Sequence, residues 1–245
     1  MTTARRPARL GMIVPSSNTC LEPTTHRMLT GRDDVTVHAT RVAVTRIAVD
    51  DDSDRQFDLG AMRAAAALLA TADVDLIVWN GTAGSWLGAD HDRAMVADIE
   101  SATGIPATTS TLACTAAYDT FGITTVGLLT PYTADVAARI AERYAEDGIT
   151  VGASCALGHT DNESFARITP EELLLPSRRL AATGPDALVY LCTNMYGAPI
   201  AARVEAETGI PVLDSVAVTL WWCLRLIGAG PLDPHWGALL ARPPG

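Results

Sequence analysis

Lysine is absent from this chain: all 18 basic residues are arginine, set against 28 acidic ones. That absence excludes a Schiff-base mechanism, a lysine-anchored pyridoxal phosphate and the phosphate-binding lysine of a P-loop. A net charge of −10 leaves no basic face of the kind nucleic acids require, so no nucleic-acid partner is expected. No apolar run approaches the roughly 18–20 residues that span a bilayer. The basic stretch Met1–Arg9 is followed only by Gly11–Val14, too short for a signal-peptide core. A cytoplasmic chain with a loose basic tail and no membrane partner is expected. The five cysteines (20, 114, 155, 192, 223) are odd in number, scattered and without a CxxC pair, which argues against a disulfide framework. The five histidines (26, 38, 91, 159, 235) show no metal-ligand spacing, so no metal is expected. Gly81-Thr-Ala-Gly84 is not the dinucleotide fingerprint, which needs GxGxxG after the first strand.

What is present is the same pattern twice. Gly11-Met-Ile-Val-Pro15 recurs as Gly127-Leu-Leu-Thr-Pro131, and Asp75-Leu-Ile-Val-Trp-Asn-Gly81-Thr82 as Asp186-Ala-Leu-Val-Tyr-Leu-Cys192-Thr193. Glu100-Ser-Ala-Thr-Gly-Ile-Pro106 returns as Glu205-Ala-Glu-Thr-Gly-Ile-Pro211. The offsets are 116, 111 and 105, in the same order and drifting slowly, which implies an internal duplication. About half the residues are apolar, with 19 glycines and 14 prolines, and the length suffices for two lobes of ordinary domain size.

Short continuous apolar runs alternate with longer helical patterns, the signature of parallel strands buried on both faces. Strands are predicted at Leu10–Val14, Val35–Val44, Leu76–Trp79, Val126–Leu129, Thr150–Ala156 and Leu188–Leu191, with short ones near Pro106 and Val212. Helices are predicted over about 21–29, 55–71, 90–102, 110–120, 133–147, 170–182, 198–207 and 215–227. The fold class that follows is α/β: two pseudosymmetric, open parallel-sheet, Rossmann-like lobes with the active site in the cleft between them. The first lobe is expected over 1–115, with 216–245 packing back on it, and the second over 116–215. Ser110 and Ser215 are candidate caps of the two helices that join the lobes.

Ligands of such sheets sit beyond the carboxyl ends of the strands. Five loops qualify: Pro15-Ser-Ser-Asn-Thr19, Asn80-Gly-Thr-Ala-Gly-Ser85, Pro131-Tyr-Thr133, Gly158-His-Thr-Asp-Asn162 and Cys192-Thr-Asn194. They are rich in small, neutral polar residues, which suits a small carboxylate held by uncharged donors, although each Ser, Thr or Asn taken singly could be a helix cap. Ser16, Ser17, Asn18, Gly81, Thr82, Ala83, Tyr132, Asn162, Thr193 and Asn194 are the candidate binding residues. Cys192 ends its strand opposite Gly81, either as a thiolate stabilised by the following helix N-terminus or as a thiol that gives its proton to a carbanion. Cys20 begins the helix after the first loop and either looks into the cleft or packs in the core. Cys114, Cys155 and Cys223 read as buried small hydrophobes, Trp221-Trp222 as an interface or core element, and Asp50–Asp52 as a solvated loop.

These motifs resemble the aspartate/glutamate racemase superfamily, in its maleate cis-trans isomerase and arylmalonate decarboxylase branch, from Gly11 to about Leu240. Gly-Met-Ile-Val-Pro15, Ala-Thr-Gly-Ile-Pro106 and the Tyr132 loop look like the decarboxylase; Pro-Ser-Ser-Asn18, Asp-Asn162 and Cys192-x-x-Met195 look like the isomerase. The resemblance implies cofactor-free chemistry on a small dicarboxylate, with a catalytic-cysteine position on each lobe. Gly81 stands at the first, where racemases and the isomerase carry a thiol and the decarboxylase carries Gly-Thr. Gly81, Thr82 and Tyr132 match the decarboxylase's oxyanion-binding set, whereas Ala83 replaces a serine donor and Asn194 a glycine. A two-base racemase needs a group on each face of the carbanion, so one thiol favours a malonate-type decarboxylase with Cys192 as proton donor. The alternatives are a maleate isomerase-like enzyme and an inactive carboxylate-binding protein. A homo-oligomer is compatible with the sequence.

Overall fold

The computed structural model describes residues 6–47, 56 and 59–242. Asp50–Asp52 and part of the helix predicted from residue 55 lie outside the described residues.

The first lobe runs β1 (Ala8–Pro15), α1 (Leu21–Met28), β2 (Val35–Val42), α2 (Leu59–Ala70), β3 (Leu76–Trp79), α3 (Gly84–Leu87), α4 (Ala89–Thr103), β4 (Ala107–Thr109) and α5 (Ser110–Phe121). The second runs β5 (Thr125–Thr130), α6 (Ala134–Glu146), β6 (Thr150–Ala156), α7 (Asn162–Phe165), α8 (Pro170–Ala181), β7 (Ala187–Tyr190), a 3-10 turn (Ala198–Ile200), α9 (Ala201–Thr208), β8 (Val212–Asp214) and α10 (Ser215–Leu226). Each lobe holds one four-stranded, wholly parallel sheet, ordered β2-β1-β3-β4 and β6-β5-β7-β8. Parallel neighbours require crossover helices, which is why strand and helix alternate. The register makes the duplication physical: Ile13 pairs with Trp79 and Trp79 with Thr109, as Leu129 pairs with Tyr190 and Tyr190 with Asp214. These equivalences reproduce the sequence offsets of 116, 111 and 105.

The central strands β3 and β7 are buried along their whole length, as expected for continuous apolar runs covered on both faces. The two repeated Thr-Gly-Ile-Pro segments end α4 and α9 with Gly104 and Gly209 in the left-handed region, at φ 69° and 71°, where glycine carries no Cβ penalty. The joining helices are not capped by Ser110 and Ser215. The last strand residues do that work: Thr109 accepts from the Leu112 N–H, and Asp214 from those of Val216 and Ala217. The serines turn inward instead, Ser110 meeting Thr219 and Ser215 donating to the Tyr190 carbonyl.

α10 packs against α1 and α5, and Arg32 donates to the carbonyls of Gly230 and Pro231. Residues 234–240, expected on the first lobe, lie on the second: the Ala238 N–H donates to Glu205 on α9, and Gly237 sits against the Val212 carbonyl. Nor are Arg6 and Arg9 loose, since Arg6 pairs with Asp75 at 2.8 Å and Arg9 with Asp73 at 3.4 Å. Trp221 is a core residue, buried against Phe121, while Trp222 is half-buried beside it. No helix among the described residues is long and apolar enough to cross a membrane.

Candidate active site

The carboxyl ends of β1, β3, β5 and β7 meet at the junction of the lobes, and the five loops identified from sequence converge there. They line a small, partly open cavity of about 20 Å³. Gly81, Thr82, Ala83, Tyr132, Asn162, Cys192 and Thr193 line it, together with Trp79 and Trp86. Pro15, Val44 and Ile47 supply an apolar wall. The strap carrying Val44 and Ile47 leaves the first lobe and joins the second: Arg46 and Asp161 form an antiparallel bridge, Ile47 donates to the Thr160 carbonyl at 2.9 Å, and Asn162 donates to that of Thr45 at 3.0 Å.

Cys192 is 3% exposed. Its sulfur accepts the Asn194 N–H at 3.3 Å and faces the Tyr132 hydroxyl. Burial pushes the thiol up to about 12, against the smaller opposing effect of those two donors. At neutral pH it is therefore a thiol. The expected stabilisation by a following helix N-terminus is not what the structure provides, because the chain continues as a loop to the 3-10 turn at Ala198; only a single backbone N–H serves the sulfur. Tyr132 is fully buried, with its ring edge-on to Trp86 at 5.5 Å and to Phe165 at 5.4 Å. Its hydroxyl lies 3.0 Å from that of Thr82. Burial raises it well above the usual tyrosine range, so it too is protonated. The backbone N–H groups of Gly81, Thr82, Ala83 and Thr193 have no acceptor among the described residues. Successive free N–H groups in a turn make a concavity that suits an anion.

Several candidate binding residues turn out to tie the lobes together. Asn18 caps α1 through its carbonyl oxygen, which accepts from Cys20 and Leu21, and its amide donates to Thr193 Oγ1 at 3.2 Å. The Thr193 hydroxyl donates in turn to the Asn80 carbonyl at 2.8 Å. Asn194 accepts from the backbone of Thr19 and Cys20 and donates to the Asn162 carbonyl. The Asn162 amide donates to Ser17 Oγ at 2.8 Å, and Ser17 donates to the Val44 carbonyl at 2.7 Å. Ser16 also meets the Val44 backbone. Asn162 and Thr193 still reach the cavity wall, whereas Ser16, Ser17, Asn18 and Asn194 do not line it. Cys20 is buried against Thr24 Oγ1 at 3.6 Å, away from the cavity, and its thiol is likewise pushed upward by burial.

Sequence reasoning missed Trp79, Trp86, Val44 and Ile47. Trp79 carried the only available signal, an aromatic two residues before the glycine at a strand end. Val44 and Ile47 lie in an irregular strap whose role depends on the partner lobe. No group of three or more His, Cys, Asp or Glu side chains among the described residues is placed to hold a metal ion.

The arylmalonate decarboxylase family model matches residues 10–240. The maleate isomerase of Alcaligenes faecalis is 29% identical over 95% of this chain and 96% of its own. The arylmalonate decarboxylase of Bordetella bronchiseptica is 30% identical over 62% of this chain and 65% of its own. The maleate isomerase of Pseudomonas putida S16 superimposes with a TM-score of 0.87 at 24% identity, covering 96% of this chain and 98% of its own. A maleate-bound variant of that enzyme gives 0.84 at 26%, covering 96% and 97%.

Proposed function

The chain belongs to the arylmalonate decarboxylase family, and from that premise we propose that it is a cofactor-independent enzyme that decarboxylates a small malonate-type dicarboxylate, with Cys192 as proton donor. The observation that carries this reading is the state of the one cysteine that lines the cavity: buried, protonated and sharing that cavity with Gly81. A nucleophile must be a thiolate at working pH. A thiol near 12 is about 1 part in 10⁵ ionised at pH 7, yet it remains a far stronger acid than the C–H group that protonation of the carbanion creates.

In this mechanism one carboxylate is held by Thr82 Oγ1, the Tyr132 hydroxyl and the N–H groups of Gly81–Ala83. The other faces the apolar wall of Pro15, Val44 and Ile47, where its charge is poorly solvated. The carbon–carbon bond breaks toward the retained carboxyl, CO₂ leaves, and the electron pair spreads into an enediolate. Neutral donors aimed at that developing charge each contribute about 3 kcal/mol to lowering the barrier. Cys192 then gives its proton to the α-carbon, and water reprotonates the sulfur.

A second reading rests on the curated relatives matched over nearly their full length, which are maleate isomerases. It requires Cys192 to lose its proton once substrate is bound and to add to a double bond. Incubation with substituted malonates and with maleate in D₂O, followed by NMR, separates the two. Release of CO₂ with one deuterium at the α-carbon supports decarboxylation, and conversion of maleate to fumarate supports isomerisation. A ligand bound without turnover of either would overturn both in favour of a carboxylate-binding protein.

A further inference from the structure

We propose that Trp79 is the residue that restricts the site to a single thiol: its indole fills the wall position across the cavity from Cys192 and so dictates glycine at 81. The chemical part of this assignment rests on the reading of Cys192 as proton donor; the steric part does not.

Glycine is often required by the backbone, but Gly81 is not among the residues with positive φ. The requirement is one of space. A Cβ added at Gly81 would lie 2.3 Å from Trp79 Cζ2, 2.4 Å from Cε2 and 2.6 Å from Nε1, deep inside van der Waals contact. The base of the ring is fixed by the sheet. Trp79 is the last residue of β3, paired with Ile13 on one side and Thr109 on the other, and its side chain is fully buried while also lining the cavity.

The second lobe shows the other solution to the same geometry. Tyr190 is the structural counterpart of Trp79, and two residues beyond it stands Cys192. The Tyr190 hydroxyl lies 2.6 Å from Ser177 Oγ on α8, which anchors the ring away from the cavity and leaves room for the Cys192 side chain. One aromatic is drawn toward a helix and a thiol enters; the other turns into the cavity and the thiol's place is lost. The duplicated scaffold thus becomes chemically one-sided through the orientation of a single ring.

The test is a set of variants: Gly81→Ala, Gly81→Cys, Trp79→Leu, and each position-81 change combined with Trp79→Leu. Gly81→Ala adds only the critical methyl, and is expected to lower the unfolding midpoint by roughly 5 °C in the natural background. The same change on Trp79→Leu is expected to lower it by less than half as much. Equal shifts in both backgrounds would overturn the steric assignment. For the chemistry, the monocarboxylic product is incubated in D₂O and exchange of its α-hydrogen is followed. With thiols on both walls, one sulfur takes the proton from carbon and the other returns a deuteron. Trp79→Leu/Gly81→Cys is expected to exchange at least tenfold faster than either single variant. Exchange as fast in Gly81→Cys alone would refute the role given to Trp79. Thermal coupling without exchange in any variant would uphold the indole as the steric block and count against Cys192 as proton donor.

Discussion

Replacing Tyr132 with phenylalanine separates catalysis from packing, because the structure shows what the change removes. The ring keeps its edge contacts with Trp86 and Phe165, so no cavity opens. What disappears is a hydroxyl placed 3.0 Å from Thr82 Oγ1 and facing the Cys192 thiol. For folding, the loss is one buried hydrogen bond, about 1 kcal/mol, or a midpoint drop of roughly 2–4 °C for a chain of this size. On the proposed mechanism it is one oxyanion donor, whose removal should cost about 10²–10³ in kcat. KM should change little, since the hydroxyl matters most once charge has moved onto the retained carboxyl. Tyr144→Phe is the control: that buried hydroxyl pairs with Tyr118 at 3.2 Å and lies outside the cavity. It should cost similar stability and less than about threefold in kcat. If the two variants lose activity equally, or Tyr132→Phe keeps more than a third of it, Tyr132 is not an oxyanion donor.

Cys192→Ala should lower kcat by about 10²–10⁴, the usual contribution of a general acid, with the midpoint within a few degrees of the parent; steady-state assay and thermal melts check both. Asp214 is held up to about 7 by burial, against the donation of backbone N–H groups to it. Its folded value lies above its unfolded one, so between about pH 4 and 7 the native state holds a proton the unfolded chain has lost, and stability falls as pH rises, by about 1.4 kcal/mol per pH unit at most. Asp92, held up to about 6 by burial, adds a similar slope at the lower end of that range. Melts at pH 5.5 and 8 should therefore show a higher midpoint at 5.5, and Asp214→Asn should remove most of the difference; an unchanged difference refutes the assignment. Asn194→Ala cuts the lobe-to-lobe bonds to Thr19 and Cys20 and the bond to Asn162 within the second lobe, and should cost about 2 kcal/mol while speeding amide exchange at Thr19 and Cys20.

The scaffold was readable because its signal is local. The continuous apolar run Leu76–Trp79 and the strand predicted at Thr150–Ala156 coincide with strands to the residue, and the repeated Thr-Gly-Ile-Pro stops fall where glycine adopts a left-handed turn. The convergence of five polar loops followed from strand polarity alone. What those loops do with their side chains did not. Asn18, Asn162 and Asn194 are equally good as ligand donors, caps or ties; the cap Asn18 makes is local, but the ties all three make are fixed by partners 32 to 175 positions away in sequence. The same limit applies to the caps, where Thr109 and Asp214 outcompete the serines that follow them because the strand's last residue still has the extended backbone a cap requires. Trp79 is the sharpest instance: its identity was plain, but which way its ring turns depends on the cavity it fills.

The missing lysine connects to the chemistry through electrostatics rather than through any one motif. A cation beside a cysteine favours the thiolate and lowers its pKa. None of the residues lining the cavity is basic, although the chain carries 18 arginines; the ion pairs they form lie elsewhere, as with Arg41–Glu22, Arg63–Asp98 and Arg178–Glu207. The lobes are instead joined across the site by neutral amides and hydroxyls. A bound dicarboxylate would add negative charge near the sulfur and raise its pKa further. An arginine anchor would bind substrate more tightly but pull Cys192 toward a nucleophile. On the proposed mechanism, neutral donors would accept weaker ground-state binding and keep the proton on the sulfur until a carbanion forms to receive it.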